Sequence, residues 1–216
     1  MTSSPFEPIA LRVEGLACAK GDRVLFQGAT FSAAGGDLVE LVGPNGSGKT
    51  TLLRVLAGLG RPHKGSAAYR IGDQTDGDPA EYAHYLSHQD GVKPTLGVLS
   101  QLQFWGDVWG APKGASEDAL DHVGLWGARR LVARALSAGQ KRRLALARLL
   151  VKPRPVWVLD EPTAALDRAG RSLLGDLVAG HRSAGGMIIA ASHDPLPLTP
   201  DQRIEIAPTP SPAAAA

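Results

Sequence analysis

The segment Gly43-Pro44-Asn45-Gly46-Ser47-Gly48-Lys49-Thr50 carries the densest chemistry in the chain. It fits the pattern G-x-x-x-x-G-K-[ST], between a short apolar run, Leu38 to Val42, and a stretch of helical spacing from Thr51 to Leu59. A glycine loop between strand and helix suits a phosphate. Small residues at Gly43, Gly46 and Gly48 let backbone N–H groups turn inward onto phosphate oxygens, while the helix start adds partial positive charge. Lys49 brings a full charge to the β and γ phosphates, and the Thr50 hydroxyl is a hard oxygen of the kind Mg2+ takes. Pro44, Asn45, Ser47 and the neighbouring Thr51 complete the expected triphosphate contacts. An incidental Gly-Lys-Thr in a glycine turn is the bland alternative, and the flanking elements weigh against it.

Four further features narrow the chemistry. Asp160 ends the apolar run Val156 to Leu159 and is placed to hold Mg2+ through water; Glu161 follows it, a carboxylate able to polarise an attacking water. Ser137-Ala138-Gly139-Gln140 opens a helical run, with Ser137 and Gln140 spaced as a capping box. A capping box alone marks only a helix start. Its functional reading is a helix N-terminus whose free N–H groups and hydroxyl accept a phosphate from another subunit. Gln89 lies 40 residues after Lys49, where strand character gives way to helix, and its amide is able to bond a metal-bound water. His193 comes 33 residues after Asp160, at the end of the last apolar run, where an imidazole reaches a γ-phosphate or orients Glu161. Singly, Gln89 reads as a loop residue and His193 as a structural histidine; their joint order gives them weight.

The elements that must position these residues follow from pattern. Residues 9 to 16 alternate as a strand does, an extended stretch runs from Val24 to Ser32, and together they read as an antiparallel opening. Ala67 to Ile71 and Tyr82 to Ser87 read as short strands separated by an acidic turn. Helical spacing occupies Leu96 to Trp109, Ser116 to Gly124 and Ala138 to Val151, then Asp167 to Ala179, followed by the apolar run Met187 to Ala191. Alternating strand and helix implies an α/β fold with a mostly parallel core sheet, an antiparallel β subdomain and an inserted α-helical subdomain at about residues 90–152. One domain over residues 1–206 and a loose tail over 207–216 are expected.

Composition bounds the function class. The chain has 216 residues, with 23 basic against 21 acidic side chains, which does not announce a nucleic-acid binder. The charge is uneven: residues 129–154 hold nine Lys or Arg and no acid, whereas residues 72–91 hold five acids and no Lys or Arg. The basic run reads as a solvated helix face with connectors, ahead of an anionic-lipid or partner contact. One cysteine, Cys18, no leader-like apolar start and no run long enough to span a bilayer point to a reducing cytoplasm and a soluble chain, whatever it docks onto.

In this order the motifs resemble the ATP-binding cassette (ABC) ATPases of the P-loop NTPases, over nearly the whole chain from about Ile9 to Ile206. Gly43 to Thr50 is similar to their Walker A loop and Gln89 to the Q-loop glutamine. Leu136 to Gln140 is similar to the signature, and Val156 to Asp160 to Walker B with Glu161 as catalytic base. Ala165-Leu166-Asp167 is similar to the D-loop, and His193 to the switch histidine. The resemblance implies ATP and Mg2+ as ligands, with Thr50, Gln89 and Asp160 around the metal. It also implies a head-to-tail homodimer in which Ser137, Ala138, Gly139 and Gln140 of one chain close on the ATP of the other. Membrane permease subunits in separate chains, and a peripheral place on the cytoplasmic face of the bacterial membrane, are implied with it.

A narrower likeness lies in Tyr85 to Pro94, Leu102 to Trp105 and Lys141 to Arg148, which resemble the haem-exporter ATPases of bacterial cytochrome c maturation, the CcmA type. That likeness implies CcmB/CcmC-like membrane partners and a haem-handling pathway, with no haem held by this chain: it has no Cys-x-x-Cys-His motif, and His84 and His88 read as packing or polar loop residues. The ATPase of another small exporter, for lipid or drug, and a soluble ABC protein acting on nucleic acid are the alternatives; the chain has room for neither a second cassette nor a long coiled coil. Two departures stand out. Lys20 occupies the place where the family sets an adenine-stacking aromatic, leaving Phe26 as a substitute or a core residue, and Ala138 replaces a signature glycine.

Overall fold

The computed structural model describes residues 4–75 and 78–209. Strands β1 (Ile9–Lys20) and β2 (Arg23–Ala34) form a long hairpin, β3 (Leu38–Val42) runs into the phosphate loop, and α1 (Lys49–Leu56) leaves it. Next come β4 (Lys64–Ile71), the two-residue β5 (Gln74–Thr75), a single-turn α2 (Pro79–Tyr82) and β6 (Ala83–Leu86). The helical insert follows as α3 (Val98–Trp109), α4 (Ala115–His122) and α5 (Ala138–Val151). The chain then continues through β7 (Val156–Asp160), α6 (Arg168–Ser183), β8 (Met187–Ala191) and β9 (Gln202–Glu205).

Two sheets result. One is antiparallel with order β2-β1-β4-β5; the other has five strands in order β6-β7-β8-β3-β9, with every neighbouring pair parallel. The parallel sheet explains the unbroken apolar runs: all five residues of β7 and of β8 are buried, because helices and the second sheet cover both faces. On one face Leu52, Leu53 and Leu56 of α1 pack with Val39, Leu41, Val158 and Ile189 of the sheet and with Leu11 and Val13 of β1. On the other, Leu174 and Leu177 of α6 and Leu146 and Leu149 of α5 meet Trp157, Leu159 and Ile188. A third cluster joins Leu102 of α3, Leu120 of α4 and Leu144, Ala147 and Val151 of α5. Helix α5 serves both clusters, so the insert is welded to the sheet along one helix.

Pattern reading located most of these elements, and the differences have physical reasons. Strand β1 extends to Lys20 because its partners change register along it, after Val13 toward β2 and after Glu14 toward β4, which breaks the alternation. Helix α1 begins at Lys49, with Gly48 in the left-handed region (φ 105°) as its N-cap. Within the acidic segment Asp78 caps the four-residue α2 through the Ala80 N–H (2.9 Å). Strand β9 was not anticipated: Gln-Arg-Ile-Glu offers little apolar signal, since it is an edge strand joined to β3 by backbone pairing. Of the tail expected over 207–216, residues 207–209 are described, and the Thr209 N–H donates to the Leu25 carbonyl (2.8 Å); the expectation for 210–216 lies outside the described residues.

The basic stretch 129–154 is not wholly the solvated face expected from its sequence, since three of its nine basic side chains turn inward to backbone carbonyls. Arg142 is buried, Arg148 donates to the Tyr85 carbonyl (3.3 Å), and Arg154 donates to the carbonyls of Ala80 (2.6 Å) and Ala83 (2.8 Å). Guanidinium groups suit this task because one planar fork serves several carbonyls.

Candidate functional site

Ligand sites in open α/β sheets lie beyond the carboxyl ends of the strands. Here β3 ends in the glycine loop, β7 in Asp160 and Glu161, and β8 in the turn bearing His193, with β8 lying between the other two strands. A cavity of about 860 Å3 opens there, its lining including Asn45, Gly46, Lys49, Thr50, Asp160, Glu161 and His193. Its volume is in the range of small-molecule sites, roughly 300–1,000 Å3.

Each glycine of the loop is there for space or backbone conformation. A Cβ on Gly43 (φ 148°) would stand 2.5 Å from the Ile206 carbonyl oxygen, and one on Gly48 would stand 2.7 Å from the Phe26 ring. Phe26 is therefore core beneath the loop (1% exposed), which settles its two readings against adenine stacking. A Cβ on Gly46 (φ 77°) would meet open space, so this residue is needed for its backbone angle. Lys49 Nζ donates to the carbonyls of Gly43 (2.6 Å) and Pro44 (3.1 Å), poised across the loop mouth. Ser47 Oγ is buried without a partner among the described residues, an orphaned hydroxyl of the kind a phosphate oxygen would satisfy. Lys20 and Arg23, from the tip of the β1–β2 hairpin, line the same cavity, as do Leu25 and Leu59.

The acid cluster is compact. Thr50 Oγ1 donates to Asp160 Oδ2 (2.9 Å), which also takes a longer bond from the Tyr85 hydroxyl (3.4 Å) and faces His88 Nδ1 at 3.7 Å. Burial, helped by the Asp160 charge, pushes the Tyr85 hydroxyl up, so it remains a donor. One hydroxyl and one carboxylate are hard oxygens suited to Mg2+, whose remaining positions phosphate and water would fill. Glu161 has φ 51°, a left-handed conformation that costs a non-glycine residue on the order of 1–3 kcal/mol. Its Oε2 accepts from the His193 N–H (3.1 Å), and its Oε1 lies 3.6 Å from His193 Nε2. Thr163 Oγ1 and Ser192 Oγ, 2.9 Å apart, tie the segments following β7 and β8 together behind this pair.

Other expected residues lie outside this cavity. Ser137 and Gln140 form the capping box, Ser137 Oγ accepting from the Gln140 N–H (3.2 Å) and Gln140 Oε1 from the Ser137 N–H (2.9 Å). They sit with Ala138 and Gly139 at the N-terminus of α5 and are not among the cavity residues. Asp167 caps α6 through the Gly170 N–H (2.7 Å) and pairs with Arg143 (3.0 Å), and these two contacts, in that order, hold its carboxyl below the usual range. Gln89 is exposed and outside the lining, which His88 enters instead. His84 is buried, its Nε2 2.6 Å from the Lys152 carbonyl, so a neutral ring donates there. Arg142 is the residue that pattern reading missed. It touches both acids through their carbonyls, and its only sequence signal was position on the buried side of α5.

Residues 26–164 match the sequence model of the family described as ABC transporter. Among curated proteins, the cytochrome c biogenesis ATP-binding export protein CcmA of Rhodopseudomonas palustris strain HaA2 is 48% identical over 185 residues, 86% of this chain and 92% of its own length. The protein of the same description from Rhizobium johnstonii is 45% identical over 201 residues, 91% of this chain and 94% of its own. Among solved structures, an ABC transporter ATP-binding protein from Pyrococcus furiosus superposes with a TM-score of 0.76 at 24% identity, covering 91% of this chain and 97% of that one, a likeness of fold.

Proposed function

The chain belongs to the ABC transporter family, in the branch of the cytochrome c biogenesis ATP-binding export proteins, and from that membership we propose that it is the ATP-hydrolysing subunit of a haem exporter serving c-type cytochrome assembly. It acts as a head-to-tail homodimer at the cytoplasmic face of the membrane, with permease subunits of the CcmB/CcmC kind in separate chains. No helix among the described residues is long and apolar enough to cross a membrane, which supports separate membrane subunits.

The observation that carries the reading is the convergence of Lys49, Thr50, Asp160, Glu161 and His193 on one cavity at the ends of three adjoining parallel strands. Lys49 and the loop N–H groups bind the phosphates and fix the terminal phosphoryl group in place. Thr50 and Asp160 would hold Mg2+, which would supply positive charge to offset that developing on the phosphates. Glu161 orients a water for in-line attack on the γ-phosphorus and accepts its proton as the bond to the β–γ bridging oxygen breaks. His193 positions Glu161 through its N–H and places its ring beside the γ-phosphate. Ser137, Gly139 and their neighbours close on the ATP of the partner subunit. Two triphosphates between the subunits favour association, and their hydrolysis releases it.

The test is Glu161→Gln. The purified variant should bind ATP within a few-fold of the parent, turn over about 100-fold or more slowly, and elute as a dimer in ATP but not in ADP. In cells lacking the gene, the natural chain should restore holocytochrome c and the variant should not. Turnover at the parent rate would remove the assignment of Glu161. Normal c-type haem staining in the deletion strain would point instead to a lipid or drug exporter.

A further inference from the structure

Arg142 is among the largest side chains buried in the molecule, 1% exposed, and its hydrogen bonds account for its whole donor set. A guanidinium has five N–H donors. Nε donates to the Pro162 carbonyl (3.4 Å). Nη1 donates to the Ser87 carbonyl (2.8 Å) and to Asp90 Oδ1 (3.0 Å), and Nη2 to the carbonyls of Asp160 (3.1 Å) and Glu161 (2.5 Å). Five acceptors from two separate segments meet one side chain of α5. Three are consecutive carbonyls at the end of β7, and the other two belong to residues 87–90, which leave β6 and lead into the helical insert.

The middle of those three carbonyls belongs to Glu161, whose backbone is left-handed at φ 51°. A strained conformation persists only where its surroundings over-determine it. The Glu161 N–H is fixed by the Ala191 carbonyl (2.8 Å), its carbonyl by Arg142 and the Ala164 N–H (3.1 Å), and its carboxylate by the His193 N–H (3.1 Å). Of these anchors only Arg142 also binds the segment that leads into the helical insert, through the Ser87 carbonyl and through Asp90, its one charged partner among the described residues. That carboxylate neutralises a buried cation, so its loss cannot be silent.

We propose that Arg142 is a positioning residue for the water-activating Glu161, and that its ion pair with Asp90 couples the segment 87–90 to the orientation of that carboxylate. The inference rests on Glu161 being the base of the ATPase reaction. When the insert carries residues 87–90 with it, Asp90 draws on the guanidinium, and the peptide unit from which the Glu161 side chain hangs turns accordingly. Arg142 itself is not among the residues that line the cavity.

The experiment measures steady-state ATPase and nucleotide binding for the full chain carrying Asp90→Asn, Arg142→Lys or Glu161→Gln. Asp90→Asn keeps shape and removes only the charge, and should lower kcat five- to tenfold with KM for ATP and the Kd for nucleotide within twofold of the parent. Arg142→Lys, a point charge unable to serve five acceptors, should lower kcat thirtyfold or more with the same unchanged binding. A merely structural arginine would lower Tm, binding and turnover in step. Parent-like kcat in folded Asp90→Asn overturns the coupling, and so does a rise in KM matching the fall in kcat. Should Arg142→Lys fail to fold, Asp90→Asn decides alone. Glu161→Gln separates the two claims: if it still turns over, the proposed ATPase mechanism is wrong, whereas if it is dead while Asp90→Asn and Arg142→Lys run at the parent rate, only the positioning role is lost.

Discussion

Lys49 is held over the loop mouth by two carbonyls, Gly43 and Pro44, that a phosphate would replace. Charge-assisted hydrogen bonds are worth roughly 1.5–3 kcal/mol, so Lys49→Ala should weaken nucleotide binding about 10- to 100-fold. Titration with a fluorescent ATP analogue checks this; undiminished binding would discard the loop assignment. Gly48→Ala should cost more stability than an ordinary glycine replacement, about 2 kcal/mol or more, because it adds backbone strain at φ 105° to a contact 2.7 Å from the Phe26 ring. Denaturant unfolding reads it. At this scale the sequence was informative where a residue's chemistry is bound to a spacing, as in Gly43 to Thr50. It was silent where function depends on what lies opposite: nothing in Phe26 said floor rather than stacking face, and nothing in Arg142 said it would reach the carbonyls of Asp160 and Glu161.

Among the elements, α5 is held at its start by the reciprocal bonds of Ser137 and Gln140. Ser137→Ala should remove about 1 kcal/mol of stability from the isolated chain. If Ser137 also meets the ATP of a partner, the same variant should lower ATP-dependent dimerisation by more than the loss of stability explains. Sizing chromatography in ATP, set beside unfolding curves, separates the two. Elements also carry the pH response. Burial pushes His84 of β6 down to about 3 and His181 of α6, stacked on Trp157 at 4.0 Å, down to about 4, from an ordinary 6.5. Below pH 6.5 the unfolded chain takes up protons that the folded chain refuses, so stability is full above that pH. It falls as pH drops toward 4 for His181 and 3 for His84. The loss by pH 5 should be about 2 kcal/mol per histidine, seen as a lower denaturant midpoint, and His84→Gln should flatten the slope. Strands β7 and β8 were legible because complete burial writes a nearly continuous apolar run; β9 was not, because backbone pairing at a sheet edge leaves side chains free to be Gln, Arg and Glu.

For the molecule as a whole, the sheet joins distant parts of the chain to make one cavity, and β9 is its least advertised member. Ile206 is buried, its N–H donates to the Val42 carbonyl (2.8 Å), and its carbonyl stands where a Cβ on Gly43 would fall. A chain ended at Pro200 should therefore lose ATP binding and most of its soluble yield, although every matched motif is still present. Expression of the truncated chain beside the full one, followed by nucleotide binding, tests this, and normal binding would show the strand to be dispensable. The fold class and the order of sheet and insert could be read from alternation alone. The balance of charge could not, since a run of nine basic residues that looked like solvated surface sends Arg142, Arg148 and Arg154 inward to backbone carbonyls.

The contact between Gly43 and Ile206 also sets a timetable. The phosphate loop is translated early, but the carbonyl against which it rests is translated after all the other strands. At roughly 5–20 residues per second, the nascent loop waits on the order of 10–30 s for its support. During that interval the ribosome-bound chain carries a complete nucleotide motif without the carbonyl that supports it, so competence to bind ATP should arrive with the last strand and not with the motif.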